Sequence, residues 1–135
     1  MQNFEQIRAH VVANYKIKTN DPYLLGLELT IAGGSRRQGI FLAELEGDDG
    51  RKYLRVSTAI APMTGIDPKR ALRFNWAQRV GYLAQSDFDG VPYLQLCDNR
   101  PYDSLTAAEI DRLIIEIGGL GDGLEQAFSA GGDVF

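Results

Sequence analysis

Three runs between residues 24 and 62 constrain this chain more than any other feature. They are "LLGLELTI", "QGIFLAELE" and "RKYLRVSTAIAP", and the breaks between them carry "AGGS" and "GDDG". Glycine accepts positive φ at little cost, so both breaks read as turns. Parallel strands need a crossover of a dozen or more residues, and these breaks are far too short for one. The three runs therefore form an antiparallel meander. The middle run is apolar on both faces and belongs in the interior of the sheet.

The third run is the most informative. Leu54, Val56, Thr58 and Ile60 suit a buried face, and by alternation the odd positions point the other way. Those are Tyr53, Arg55, Ser57 and Ala59, an arginine between an aromatic and a small hydroxyl in mid-strand. That second face needs its own explanation, as wet surface, catalytic floor or contact surface.

The rest of the chain supplies three helices and a hairpin. Asn3 and Gln6 have capping-box spacing, and Phe4, Ile7, Val11 and Tyr15 follow as one apolar stripe. "KTNDP" is read as the stop of that helix, because Pro22 disfavours the α region at Asp21. In "GIDPKRALRFNWAQ", Asp67 is an N-cap, Pro68 takes the first helical position, and Leu72 and Trp76 lie four residues apart. "RVGYLAQSDFDGVPYLQLCDN" is a hairpin around Asp89-Gly90. Thr106 and Glu109 start the last helix, whose stripe runs through Leu113, Ile114, Ile117, Gly121, Leu124 and Phe128. "GGLGDG", Gly118 to Gly123, interrupts it. Either the helix breaks there, or small residues let something pack closely. The tail, 129–135, is expected to be mobile.

These elements predict an α+β fold with an antiparallel five-stranded sheet and helices on one face, in the order α-β-β-β-α-β-β-α. With no repeat, linker or βαβ alternation, residues 1–135 read as one domain, a size that supports one core. On this plan Leu83, Leu94 and Leu96 join Leu54, Val56 and Ile60 on the core face. The opposite face carries Tyr53, Arg55, Ser57, Tyr82, Tyr93 and Gln95, with Ala84 among them.

Several functions are poorly supported. A hydrophobic fraction of 44% with 24% charged residues is that of a globular chain, and no apolar run approaches the ~18 residues of a membrane span. The formal charge of −4 and a pI near 4.9 argue against nucleic acid, which calls for a basic stripe. One cysteine, Cys97, and no secretory leader in "MQNFEQIRAH" suit the cytoplasm. Nucleophilic catalysis has only His10 and Cys97 to work with, and neither sits in a recognisable arrangement. His10 flanks a helix stripe, and Cys97 reads as a small structural thiol. No spacing resembles a zinc site or a calcium loop, and Asp48, Asp49, Asp87 and Asp89 are turn residues. "GGLGDG" is not a phosphate loop, since it lies inside a helical stripe with no Gly-Lys-Ser/Thr after it. No catalytic residue, cofactor or metal is expected.

The element order can also be set beside known folds. "YLRVSTAIAP", the helix "PKRALRFNWAQ", "GYLAQSDFDGVPYLQL" and the capped helix from "LTAAEIDRL" carry the comparison. Over nearly the whole chain the pattern resembles the secretion-chaperone-like fold shared by type III secretion chaperones and YbjN-type bacterial proteins. The resemblance implies a homodimer without an active site. Its secretion branch implies capture of a partner protein's extended segment by hydrophobic patches and added strands. Which branch applies stays open.

The expected function is thus a non-enzymatic, dimeric protein-binding module. Its contact residues would be the second-face set, with Trp76 at a subunit contact. The alternative is a small-molecule binding domain or minor enzyme with a pocket between helices and sheet.

Overall fold

The computed structural model describes residues 1–129, without the side chains of Ala32, Phe128 and Ser129. The tail expected over 129–135 therefore lies, apart from the backbone of Ser129, outside the described residues. The elements are α1 (Phe4–Asn14), β1 (Lys16–Asp21), β2 (Leu24–Ile31), β3 (Arg36–Glu46), β4 (Lys52–Pro62), α2 (Pro68–Ala77), β5 (Tyr82–Phe88), β6 (Val91–Pro101) and α3 (Ala107–Ser129). The strands form one antiparallel sheet in the order β1-β2-β3-β4-β6-β5. The class is α+β as expected, but the sheet has six strands, not five. The stretch read as a helix stop is itself the strand β1. It hides from pattern reading because its residues are largely exposed and polar, and backbone pairing with β2 holds it instead.

Local signals act where the residues indicate. Asn3 Oδ1 accepts from Gln6 N at 2.9 Å, Asp67 Oδ1 from Lys69 N at 3.0 Å, and Thr106 Oγ1 from Glu109 N at 3.1 Å. Asp89 and Gly90 both have positive φ, as a two-residue hairpin turn requires. In β4 the alternation holds, with Leu54, Val56, Thr58 and Ile60 buried beneath the helices. Leu83, Leu94 and Leu96 are buried with them.

The helix α3 crosses the core face without a break. Gly118 and Gly121 face the sheet, and a Cβ on either would come within 2.4 Å of Leu29 Cδ2 and Thr58 Cγ2 respectively. Of the two readings of "GGLGDG", close packing is therefore the correct one. Polar pairs lock the same helix to the sheet: Arg36 Nε donates to both oxygens of Asp122 at 3.1 Å, and Gln38 donates to Thr58 and Glu125. The helix α2 lies beside β5, where the Asn75 amide both donates to Leu83 O and accepts from Leu83 N. A side chain thus occupies part of an edge that would otherwise template another strand.

α1 joins α3 through Asp111, whose Oδ1 accepts from Tyr15 OH and His10 Nε2, both at 2.7 Å. Burial alone would raise the Asp111 carboxyl. The hydrogen bonds from Tyr15 and His10 outweigh it and hold the group below the ordinary aspartate range. A depressed carboxyl pKa stabilises the fold above the unfolded value of about 3.9, and this contribution fades as pH falls through the folded value. Asp111→Asn should therefore unfold more easily at neutral pH and lose less stability than wild type below pH ~4, as followed by urea titrations across pH. Parallel pH profiles for the two proteins would show that the cluster carries no such linkage.

Candidate functional site

Cross-strand register builds the second face. In antiparallel strands, partners share a face, so Phe41, Ser57, Cys97 and Tyr82 form one row across β3, β4, β6 and β5. Arg55 stands in the next row, between Ala43 and Asn99. In a flat sheet, the outer strands of such a row lie about 14 Å apart. Yet the Phe88 ring, on β5, stands edge-on to Phe41 with centroids 6.2 Å apart, and 5.3 Å from Tyr93. The β5–β6 hairpin must curl over this face. A register shift between β4 and β6 at Ala59–Ala61 marks a bulge, the usual means of bending a strand. Gly26 makes room beneath Phe41, since a Cβ there would come within 3.1 Å of the ring.

The result is a concave face with a half-open cavity of about 520 Å³. Of the residues singled out from the sequence, Arg55, Ser57, Tyr82 and Gln95 line it together. Tyr93 lines a neighbouring hollow of about 310 Å³ that shares Phe41 and Phe88. Tyr53 lies further along β4, and the guanidinium over its ring is that of Arg51, at 5.5 Å. Trp76 is on α2 and is 93% exposed, so it does not cap the core.

Sequence reasoning did not single out Phe41, Phe88 and Cys97 as members of this site. The apolar character of β3 on both faces was the available signal for Phe41. Alternation from Tyr82 and Ala84 was the available signal for the face of Phe88, but only the curl of the hairpin brings its ring to Phe41.

Burial pushes the Cys97 thiol up to about 11, against the pull of nearby Arg55, so it is protonated at neutral pH and a poor nucleophile. Arg55 Nε is buried with no hydrogen-bond partner. A buried donor left unpaired costs about 1–3 kcal/mol, and more on a charged group. Tyr82 OH donates to Asn99, and Gln95 Nε2 donates to Ser86 Oγ, so two polar neighbours are already engaged. Asp87 and Asp89 stand where the hairpin borders the cavity, and among the described residues Arg55 is the one cation in its lining. Among the described residues no group of three or more His, Cys, Asp or Glu is placed to hold a metal ion, and no helix is long and apolar enough to cross a membrane.

No family model matches the chain, and no curated protein matches it. Among solved structures, it is similar to a chain in the "Structure of the HopA1-SchA Chaperone-Effector Complex". The match has a TM-score of 0.59 at 13% identity, over 91% of this chain and 89% of that one. At that identity the likeness shows the fold: this chain has the architecture of a protein found in a chaperone–effector complex.

Proposed function

We propose that this chain is a non-enzymatic protein-binding module that works as a homodimer in the cytoplasm and receives an extended segment of a partner protein. The concave second face carries the reading. It is lined by aromatic residues and one arginine, types suited to contact surfaces because each joins large area to a polar tip. The shared fold with a chain of a chaperone–effector complex supports it, and the reading covers a secretion chaperone or a YbjN-type protein. Strand addition is the less favoured mode. The edge strand β1 carries Lys16 and Lys18, which discourage pairing, and β5 is blocked in part by Asn75.

The small-molecule or enzymatic alternative called for a pocket between helices and sheet. The 520 Å³ cavity lies on the other face, and its thiol is protonated. Capture from native lysate by wild type and by Arg55→Ala, compared by mass spectrometry, tests the reading. A partner retained only by wild type supports it. Equal capture by both moves binding off this face.

The subunit contact is assigned to α2. Leu72 and Trp76 project from it, 67% and 93% exposed, one turn apart. Trp76→Ala should shift the mass measured by light scattering from near twice 14.9 kDa toward the single chain. Loss of a central aromatic anchor costs about 2 kcal/mol or more, roughly a thirtyfold weaker dimer. An unchanged mass at micromolar concentration would remove α2 from the interface.

A further inference from the structure

We propose that the cavity on the concave face is a carboxylate-recognition site, which reads one Asp or Glu side chain in the extended segment of a protein partner. The inference rests on the protein-binding reading above and adds the chemistry of what is bound. Its starting point is Arg55 Nε, a permanently charged donor that is buried and unpaired. Nε itself is closed to a ligand, and the carboxylate takes the two Nη–H groups of the same guanidinium, a parallel end-on fork that fits its two oxygens. Arg55 stands in mid-sheet on β4, flanked by β3 and β6, so strand pairing fixes the base of its side chain before any ligand arrives.

The charge count around Arg55 selects the ligand. Among the described residues one cation, Arg55, and two carboxylates, Asp87 and Asp89, line the cavity. A phosphate dianion would exceed the one positive charge and meet both aspartates. A run of acidic residues would meet the same repulsion. A single carboxylate balances Arg55, and a neutral or basic neighbour suits the hairpin side. Phe41 and Phe88 then offer edge-to-face rings to an apolar group beside that carboxylate.

The test follows the backbone amide signal of Ser57, which lines the cavity beside Arg55, in nitrogen-edited NMR spectra of the full chain and its variant. The probes are 3-phenylpropionate, its neutral amide, the capped peptide acetyl-Phe-Glu-Phe-amide and its Gln counterpart. Both carboxylates should shift the signal saturably, with at least tenfold weaker binding of the neutral partners and the peptide tighter than the free acid. In Arg55→Gln the carboxylate preference should vanish while the spectrum stays folded. If the free acid binds in this way and the peptide does not, the carboxylate site stands but its protein source is overturned, and the protein-binding reading of this face fails with it. If neither acid shifts the signal, or acid and amide bind alike, the carboxylate site is overturned. Peptide binding at the aromatic residues without charge preference would then leave the protein-binding reading standing alone.

Discussion

Val56→Asp should abolish cooperative unfolding, whereas Arg55→Ala, one residue away, should leave it intact. Val56 has no exposed surface and lies on β4 between Leu42 of β3 and Asp98 of β6. Replacing it forfeits about 1.5–3 kcal/mol of apolar burial. The new carboxylate would be buried without a cation and set opposite Asp98, whose own charge already faces Arg100 at 2.9 Å. An uncompensated buried charge costs several kcal/mol more, so the sum rivals the 5–15 kcal/mol that holds a domain together. Arg55→Ala removes a side chain that is only half-buried and a donor that has no partner. Little native interaction is lost, and the change in melting temperature should stay within about 5 °C. Circular dichroism melts of the two variants decide the matter. If Arg55→Ala also lost its transition, Arg55 would be a structural residue and the second face would not be a free contact surface.

The contrast between these neighbours is also what made the fold legible. A strand with one core face writes its burial into alternate letters, and in β4 those letters are unambiguous. Caps at Asn3, Asp67 and Thr106 were equally plain, because an orphan backbone N–H at a helix start needs a short polar side chain. β1 escaped because "KIKTND" at a sheet edge buries too little to leave a pattern. The candidate site was legible only in part. Alternation put Arg55, Ser57, Tyr82 and Gln95 on one face, but the bulge near Ile60 that turns the face into a cavity has no local signature. Tertiary curvature, not strand propensity, brings Phe88 to Phe41. The guanidinium over Tyr53 is that of Arg51, which precedes the strand and reaches the ring from its open end.

The glycines of α3 carry the second large effect, with opposite signs at neighbouring positions. Gly121→Ala should lower the melting temperature by about 5–10 °C, and Gly123→Ala should raise it by about 3 °C. Alanine improves on glycine by roughly 1 kcal/mol in any helix interior. At Gly123 nothing lies within 4 Å of the added methyl, so that gain is realised in full. At Gly121 the methyl would stand 2.4 Å from Thr58 Cγ2, a distance that real side chains do not tolerate. Thr58 cannot rotate away cheaply. It is β-branched and fully buried, and its hydroxyl accepts from Gln38 at 2.8 Å and donates to Gly39 O at 2.7 Å. The helix itself must then lift from the sheet. Overpacking of this kind costs about 1–3 kcal/mol, and a contact this short belongs at or above the upper end, so it outweighs the propensity gain. Gly118 is the intermediate case, because the nearest atom in the way is the tip of Leu29, a half-buried side chain with other rotamers to adopt. Lifting α3 would also strain the Arg36–Asp122 pair and the Gln38–Glu125 contact, so Gly121→Ala should loosen the N-terminal end of β3. Amide hydrogen exchange across Arg36–Glu46 would read that loosening directly. Thermal melts in which both alanines stabilised the chain would show that α3 does not ride on the sheet through bare backbone.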